Sequence, residues 1–285
     1  KKINMATGII GNPIKHSLSP ALHSFWMKEH KIESIYNIYE LEKKNISSFL
    51  NSLKDRNIVG LNVTIPYKSE VMKYIDYIEE DALGLGAINT IKVGNDDKLY
   101  GYNTDAYGFM RHLNITAPLW KKKDGHITII GAGGASRAII WSFLKENKME
   151  IKLINRNKER GLKLINDMKK IFPSSKINFS SDLPKALINC SILVNCTSLG
   201  MIGQPKLNIN LETMNKDSIV YDIVYSPLVT ELLNEAKVLN YTTIDGLGML
   251  LHQAVPAFEM WHNKKVTVSE PLKQIAIDHL ERANK

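Results

Sequence analysis

The chain of 285 residues carries only two cysteines, Cys190 and Cys196. That is too few for a disulfide framework or a four-cysteine zinc site, and both suit small buried positions. No run approaches the roughly 18 apolar residues of a membrane-spanning helix. The opening KKINMATGII lacks a long apolar stretch with a small-residue cleavage site. No secretory leader is therefore expected, and the cytoplasm is the default compartment. The first residue is Lys rather than Met. Internal repeats and low-complexity tracts are missing. What remains is ordinary globular composition, 44% hydrophobic and 23% charged, which excludes a disordered or collagen-like chain. The length suits two domains and can bury enough core to need no disulfide or metal.

The formal net charge is +8 and is unevenly spread. Residues 1–110 balance 13 basic against 13 acidic side chains, whereas 121–176 hold 14 basic against 5 acidic. Such an excess suits an anionic partner: nucleic acid, an acidic surface or a phosphorylated ligand. Solvated helix faces are the equally weighted alternative.

Short apolar runs alternate with helical segments. ATGIIG (6–11), SIYNIYEL (34–41) and VGLNVTI (59–65) read as strands, the last stopped by Pro66. Helices are expected from Pro20 to about His30, over 45–55 and over 67–76. AINTIKV and KLYGYN form a hairpin across GNDD (94–97). Residues 114–125 are polar, basic and turn-rich, like a linker. HITII (126–130), a helix over 137–147, EIKLINRN (150–157), a helix to about Phe172, SILVNCT (191–197) and SIVYDIV (218–224) follow. That rhythm of continuous apolar strands predicts a parallel sheet covered on both faces. Two helices, 246–262 and 268–284, close the chain.

Between HITII and its helix lies Gly131-Ala132-Gly133-Gly134-Ala135-Ser136. A glycine run in this strand–helix context permits a tight turn and a close approach of backbone to a pyrophosphate at the helix N-terminus. A dinucleotide site for NAD would carry Asp or Glu at the tip of the next strand. Here the tip is Asn155-Arg156, with Arg160 one turn later, which suits the 2′-phosphate of NADP.

Other unusual residues cluster early. Ser17 and Ser19 precede a helix and can hold a carboxylate, although one alone reads equally as a cap. His16 and His23 lack metal-ligand spacing and read as structural. Lys68 follows a strand tip, and Asn-Thr pairs end GAINT (86–90) and GYNTD (101–105), where Asp105 follows. Asn and Thr suit a polyhydroxylated ligand, and Lys68 with Asp105 could form an acid–base pair.

These residues lie in IGNPIKHSLSP (10–20), GLNVTIPYK (60–68), GAINT, GYNTD, GAGGASRA (131–138), NR (155–156), NCTSLGM (195–201), YDIVYSPLVT (221–230) and DGLGMLLHQA (245–254). Together they resemble the shikimate dehydrogenase family over nearly the whole chain. The resemblance implies reversible, NADPH-dependent reduction of 3-dehydroshikimate to shikimate, on the route to aromatic amino acids. It implies that Ser17 and Ser19 hold the substrate carboxylate and that Thr64, Asn89, Asp105 and Gln253 reach ring hydroxyls. Lys68 and Asp105 become the catalytic pair, with Tyr225 near the substrate. Residues 131–136, Asn155, Arg156, Arg160 and Thr197 become NADP contacts, with Gly246 and Met249 near the nicotinamide. Gln253 and Met249 carry no signal without the family.

The implied fold is α/β in two domains: an α/β substrate domain (1–106), a Rossmann-type parallel-sheet NADP domain (107–243), and C-terminal helices (244–285) returning to the first domain. The active site would be the cleft between the domains. A small-molecule substrate is expected, with no metal, nucleic acid or membrane partner, in a monomer or homodimer. Two positions depart from the family pattern. Ser24 stands where Asn is common, and Asn157 where Thr or Ser often follows Asn-Arg. The second removes a hydroxyl donor, so NADP preference should persist but weaken. A quinate dehydrogenase using NAD, a non-catalytic ligand sensor and a nucleic-acid binder are the competing readings. Arg156, the Lys68–Asp105 pair and the lack of interleaved aromatics in 121–176 argue against them in turn.

Overall fold

The computed structural model describes residues 5–147 and 150–283. The chain divides into two compact units, Lys1–Thr104 with Leu251–Lys285, and Asp105–Leu250.

The first unit begins with β1 (Met5–Gly11), α1 (Ser19–Glu29), β2 (Ser34–Glu40), α2 (Ile46–Asn51) and β3 (Ile58–Val63). After β4 (Tyr77–Ile78) and α3 (Glu80–Leu85) come β5 (Thr90–Val93) and β6 (Leu99–Tyr102), which form the expected hairpin. The sheet order is β2-β1-β3-β5-β6-β4. β1 runs parallel to β2 and β3, whereas β5 is antiparallel to both β3 and β6. Ile10, Leu61, Ile88 and Ile91 anchor its core and are fully buried. The helix expected over 67–76 is instead a 3₁₀ turn, Glu70–Tyr74. The Asp76 N–H donates to the Leu99 carbonyl at 3.1 Å, which draws the chain out of helix and into the sheet as β4.

The second unit contains α4 (Asp105–Thr116), β7 (His126–Ile130), α5 (Gly134–Glu146), β8 (Ile151–Ile154), α6 (Lys158–Ile171) and β9 (Ile177–Ser180). It continues with α7 (Leu183–Leu187), β10 (Cys190–Asn195), β11 (Ile219–Asp222), α8 (Glu231–Val238) and β12 (Thr242–Ile244). Every pairing is parallel, in the order β12-β11-β10-β7-β8-β9. The central strands β7, β10 and β11 are buried along their whole length, as their uninterrupted apolar sequence requires. This is the doubly wound Rossmann order, with its topological switch between β7 and β10.

Residues 114–125 are not a linker. α4 runs into them, and Trp120 is buried, edge-on to Phe143, with its indole N–H donating to Asn114 Oδ1 at 2.7 Å. Part of the basic excess is locally partnered as well: Lys121 pairs with Glu146, Lys123 with the Asp217 carbonyl, and Arg137 with Asp167 at 3.1 Å.

The division between units falls inside α9 (Leu247–His262), which α10 (Glu270–Ala283) follows. The C-terminal helices pack on the first sheet and on α1. The Trp261 indole donates to the Ile91 carbonyl at 2.9 Å, and the Trp26 indole to the Thr267 carbonyl at 3.0 Å. Gly60 makes room for Trp261, since a Cβ there would lie 2.0 Å from its Nε1.

Candidate functional site

The second unit places a glycine turn between β7 and α5, where the strand pattern predicts one. Gly131 has φ +109°, and a Cβ there would meet the Cys196 carbonyl oxygen at 3.1 Å. This position therefore needs glycine for the turn itself. Gly133 caps α5, its N–H donating to Ser136 Oγ at 3.3 Å. A Cβ on Gly133 would approach only Arg160 Nη2, at 3.9 Å, and one on Gly134 would meet nothing within 4 Å. The space over these two residues is open beside a helix N-terminus, as an anionic group requires. Ala132 and Ser136 are buried below, and Ala135 is half-buried.

At the β8 tip Arg156 is exposed. Asn155 Nδ2 donates to the Asn157 carbonyl at 2.7 Å. Asn157 Oδ1 caps α6 by accepting from the Arg160 N–H at 2.9 Å. Arg160 reaches back over the glycine turn, its Nε donating to the Ala132 carbonyl at 2.8 Å. The two residues at the tip of β8, Asn155 and Arg156, are not carboxylates; the first acid after them is Glu159, in the first turn of α6. The residues present therefore fit a dinucleotide that carries a 2′-phosphate.

Three loops follow the C-terminal ends of β10, β11 and β12. Asn195 Oδ1 accepts from both the N–H (3.1 Å) and the hydroxyl (2.7 Å) of Thr197. Asp222, fully buried, accepts from Asn195 Nδ2 at 3.0 Å, the Val224 N–H at 3.1 Å and the Thr230 hydroxyl at 2.7 Å. Burial raises its carboxyl above the usual range. Tyr225 is 39% exposed on the second loop. The Gly246 N–H donates to the Val224 carbonyl at 3.3 Å, and Met249 is half-buried in the first turn of α9. Cys190 is buried but Cys196 only half-buried, contrary to its expected place in the core. Burial pushes the thiols up to about 11 and about 12, so both stay protonated near neutrality.

The first unit gathers a polar network at the ends of β1 and β3. Ser17 Oγ accepts from the Ser19 N–H at 3.2 Å, at the mouth of α1. The Asn12 N–H donates to the Ile65 carbonyl at 3.2 Å, so the loop after β1 lies against the one after β3 that carries Thr64 and Lys68. The Lys68 carbonyl accepts from the Ile88 N–H at 2.7 Å and so fixes the approach to Asn89. Asn89 is buried; its Nδ2 donates to Thr104 Oγ1 at 2.8 Å and Gln253 Oε1 at 3.4 Å, and its Oδ1 accepts from the Thr104 N–H at 2.9 Å. Asn89 and Gln253, 164 residues apart, thus share one network. Asp105 belongs to the second unit, as the first residue of α4.

Asn62 and Tyr36 join this network without having been expected there. The Tyr36 hydroxyl donates to Asn62 Oδ1 at 2.7 Å, and Asn62 Nδ2 donates to the Asn89 carbonyl at 3.3 Å. For Asn62 the available signal was an amide within an apolar strand; Asn195 and Asp222 likewise are polar residues ending apolar strands. His23 is indeed a core residue: it is fully buried and stacked on Tyr36 at 4.5 Å between ring centroids. Burial, helped by His262, lowers it to about 3. Among the described residues, no group of His, Cys, Asp and Glu is arranged to hold a metal. No helix among them is long and apolar enough to cross a membrane.

A mixed-sheet unit joined to a Rossmann unit with an open glycine cradle defines a two-unit α/β dinucleotide-binding protein of the dehydrogenase type. Residues 9–91 match the family model of the shikimate dehydrogenase substrate binding domain. Residues 116–250 match shikimate / quinate 5-dehydrogenase, and 246–269 the shikimate 5′-dehydrogenase C-terminal domain. Shikimate dehydrogenase (NADP(+)) of Paramagnetospirillum magneticum is 39% identical over 95% of this chain and 97% of its own. The structure of Thermus thermophilus shikimate 5-dehydrogenase with NADP(H) and shikimate is 28% identical, with TM-score 0.81, over 98% of this chain and 99% of that one. Quinate dehydrogenase of Corynebacterium glutamicum with NAD is 25% identical, with TM-score 0.88, over 98% and 99%. The chain belongs to the shikimate dehydrogenase family.

Proposed function

We propose that this protein catalyses the NADPH-dependent, reversible reduction of 3-dehydroshikimate to shikimate. The reading is carried by one observation above all. The glycine cradle is bordered by Arg160, and the tip of the adjacent strand β8 carries Asn155 and Arg156 rather than an acid, in a chain of this family. NADPH supplies a hydride to the substrate C3 carbonyl when bound. Gly133, Gly134 and the first turn of α5 hold its pyrophosphate, and Arg156 takes the 2′-phosphate with Arg160 beside it. Asn155 supports that tip, Thr197 borders the dinucleotide, and Gly246 and Met249 flank the nicotinamide.

Ser17 and Ser19 hold the substrate carboxylate. Thr64, Asn89 and Gln253 orient the ring hydroxyls, and Tyr225 borders the substrate. Asn89 suits this task because Thr104 holds its amide through both the nitrogen and the oxygen, which fixes its orientation. Lys68 Nζ gives the proton to the developing alkoxide and removes it in the reverse direction. Asp105 orients Lys68 and binds the adjacent hydroxyl. The protein is assigned to the cytoplasm, as a monomer or homodimer acting on small molecules, with no nucleic-acid or membrane partner. Incubation with 3-dehydroshikimate and NADPH, with the product identified by NMR, tests the reading. Shikimate must accumulate as reduced nicotinamide absorbance falls; intact 3-dehydroshikimate would overturn it.

A further inference from the structure

Asp222 lies outside the groups that would touch substrate or cofactor, yet it is fully buried and accepts three hydrogen bonds from the loops that carry them. Its Oδ1 accepts from Asn195 Nδ2 and the Val224 N–H, and its Oδ2 from the Thr230 hydroxyl. The Thr230 oxygen accepts from the Leu233 N–H at 3.3 Å as the cap of α8. Its proton is thereby directed to Asp222. Three donors converge on one carboxyl, so the site demands an acceptor on both oxygens. Asn195 fixes both donors of Thr197, and Thr230 closes the loop that carries Tyr225. The two loops also meet directly: the Ile202 N–H donates to the Ser226 carbonyl at 2.9 Å, and a Cβ on Gly200 would lie 3.7 Å from Thr230.

We propose that Asp222 is a positioning residue that clamps the Thr197 loop and the start of the Tyr225 loop through Oδ1, and the Thr230 end of the Tyr225 loop through Oδ2. The proposal rests on the roles given above to Thr197 and Tyr225. Asp222→Asn keeps one acceptor and replaces the other by an NH₂ group. The Asn195 and Val224 donors retain the oxygen, and the Thr230 hydroxyl faces a donor. Only the Thr230 end of the Tyr225 loop is released. Thr230→Val breaks the same link from the other side, and Thr230→Ser restores it.

Steady-state kinetics should show both Asp222→Asn and Thr230→Val raising KM for shikimate several-fold and lowering kcat, with KM for NADP within twofold. Thr230→Ser should behave as wild type, and the double variant should be no worse than the poorer single. Amide hydrogen exchange, which needs no turnover, should quicken across 223–230 in Asp222→Asn and Thr230→Val but not across 195–200. Should Asp222→Asn fail to fold, the Thr230 pair decides alone. Equal shifts in both KM values, additive losses, or unchanged exchange at 223–230 would overturn the clamp. A wild-type protein inactive on shikimate would instead overturn the proposed function and leave the exchange test of the clamp standing.

Discussion

Two glycines two residues apart should give opposite lesions when changed to alanine. At Gly131 the backbone sits at φ +109°, outside the region alanine tolerates, and the new Cβ would press on the Cys196 carbonyl and Thr197 Cγ2, each at 3.1 Å. Backbone strain of about 1–3 kcal/mol and crowding of about 1 kcal/mol give a folding loss of roughly 2–4 kcal/mol. At roughly 2–4 °C per kcal/mol, Tm should fall by about 5–15 °C. At Gly133, φ is −94° and the nearest atom to a new Cβ is 3.9 Å away. The entropy gain of about 0.4–1 kcal/mol is offset by the poorer N-cap, so folding stability should stay within about 0.5 kcal/mol.

The Gly133→Ala methyl group, however, fills the space a pyrophosphate needs. Losing one charge-assisted backbone hydrogen bond of about 1.5–3 kcal/mol weakens NADPH binding by about 10- to 150-fold. Thermal melts and fluorescence titration with NADPH separate the two effects. Normal NADPH affinity in a folded Gly133→Ala protein would refute the cradle. So would a Gly133→Ala protein that loses as much Tm as Gly131→Ala.

Arg156→Ala should raise KM for NADP by an order of magnitude or more and leave KM for NAD within twofold; parallel changes in both would remove Arg156 from the 2′-phosphate. Lys68→Ala should lower kcat by about 100-fold or more while KM for shikimate changes little, as expected for an acid–base group, and near-normal turnover would sink that role. The depressed pKa of His23, about 3, makes folding pH-dependent in a stated direction. The unfolded histidine takes up a proton near pH 6.5 and the folded one does not. Stability should be full above about pH 6.5 and fall toward acid, by up to about 1.4 kcal/mol per pH unit for this group. Urea melts from pH 8 to 4 that show no such loss would place His23 in a wetter or hydrogen-bonded setting.

The Rossmann core was legible because β7, β10 and β11 are buried on both faces, so their sequences are unbroken apolar runs. The edge strands β9 and β12 escaped notice because INFS and TTI are short and partly exposed, with no period to detect. α4 was hidden by Gly108 and by polar residues that face solvent, while its buried side rests on Ala106, Phe109 and Leu113. Among the candidate site residues, the glycine turn and Arg156 are proposed on chemistry alone. Gln253 could not, because its meaning depends on a fold that brings α9 back beside Asn89 across 164 residues. Asp222 and Asn195 showed only as polar endings of apolar strands, and their task becomes visible once Thr230 and Thr197 are seen to share them.

The measurement that tests the central claim most directly is kcat/KM for four pairs assayed side by side: shikimate or quinate, each with NADP or NAD. The account predicts that shikimate with NADP is the best pair. Replacing NADP by NAD should cost at least an order of magnitude, and quinate should be the poorer substrate with either cofactor. A best pair of quinate with NAD, or no turnover with any pair, would contradict it.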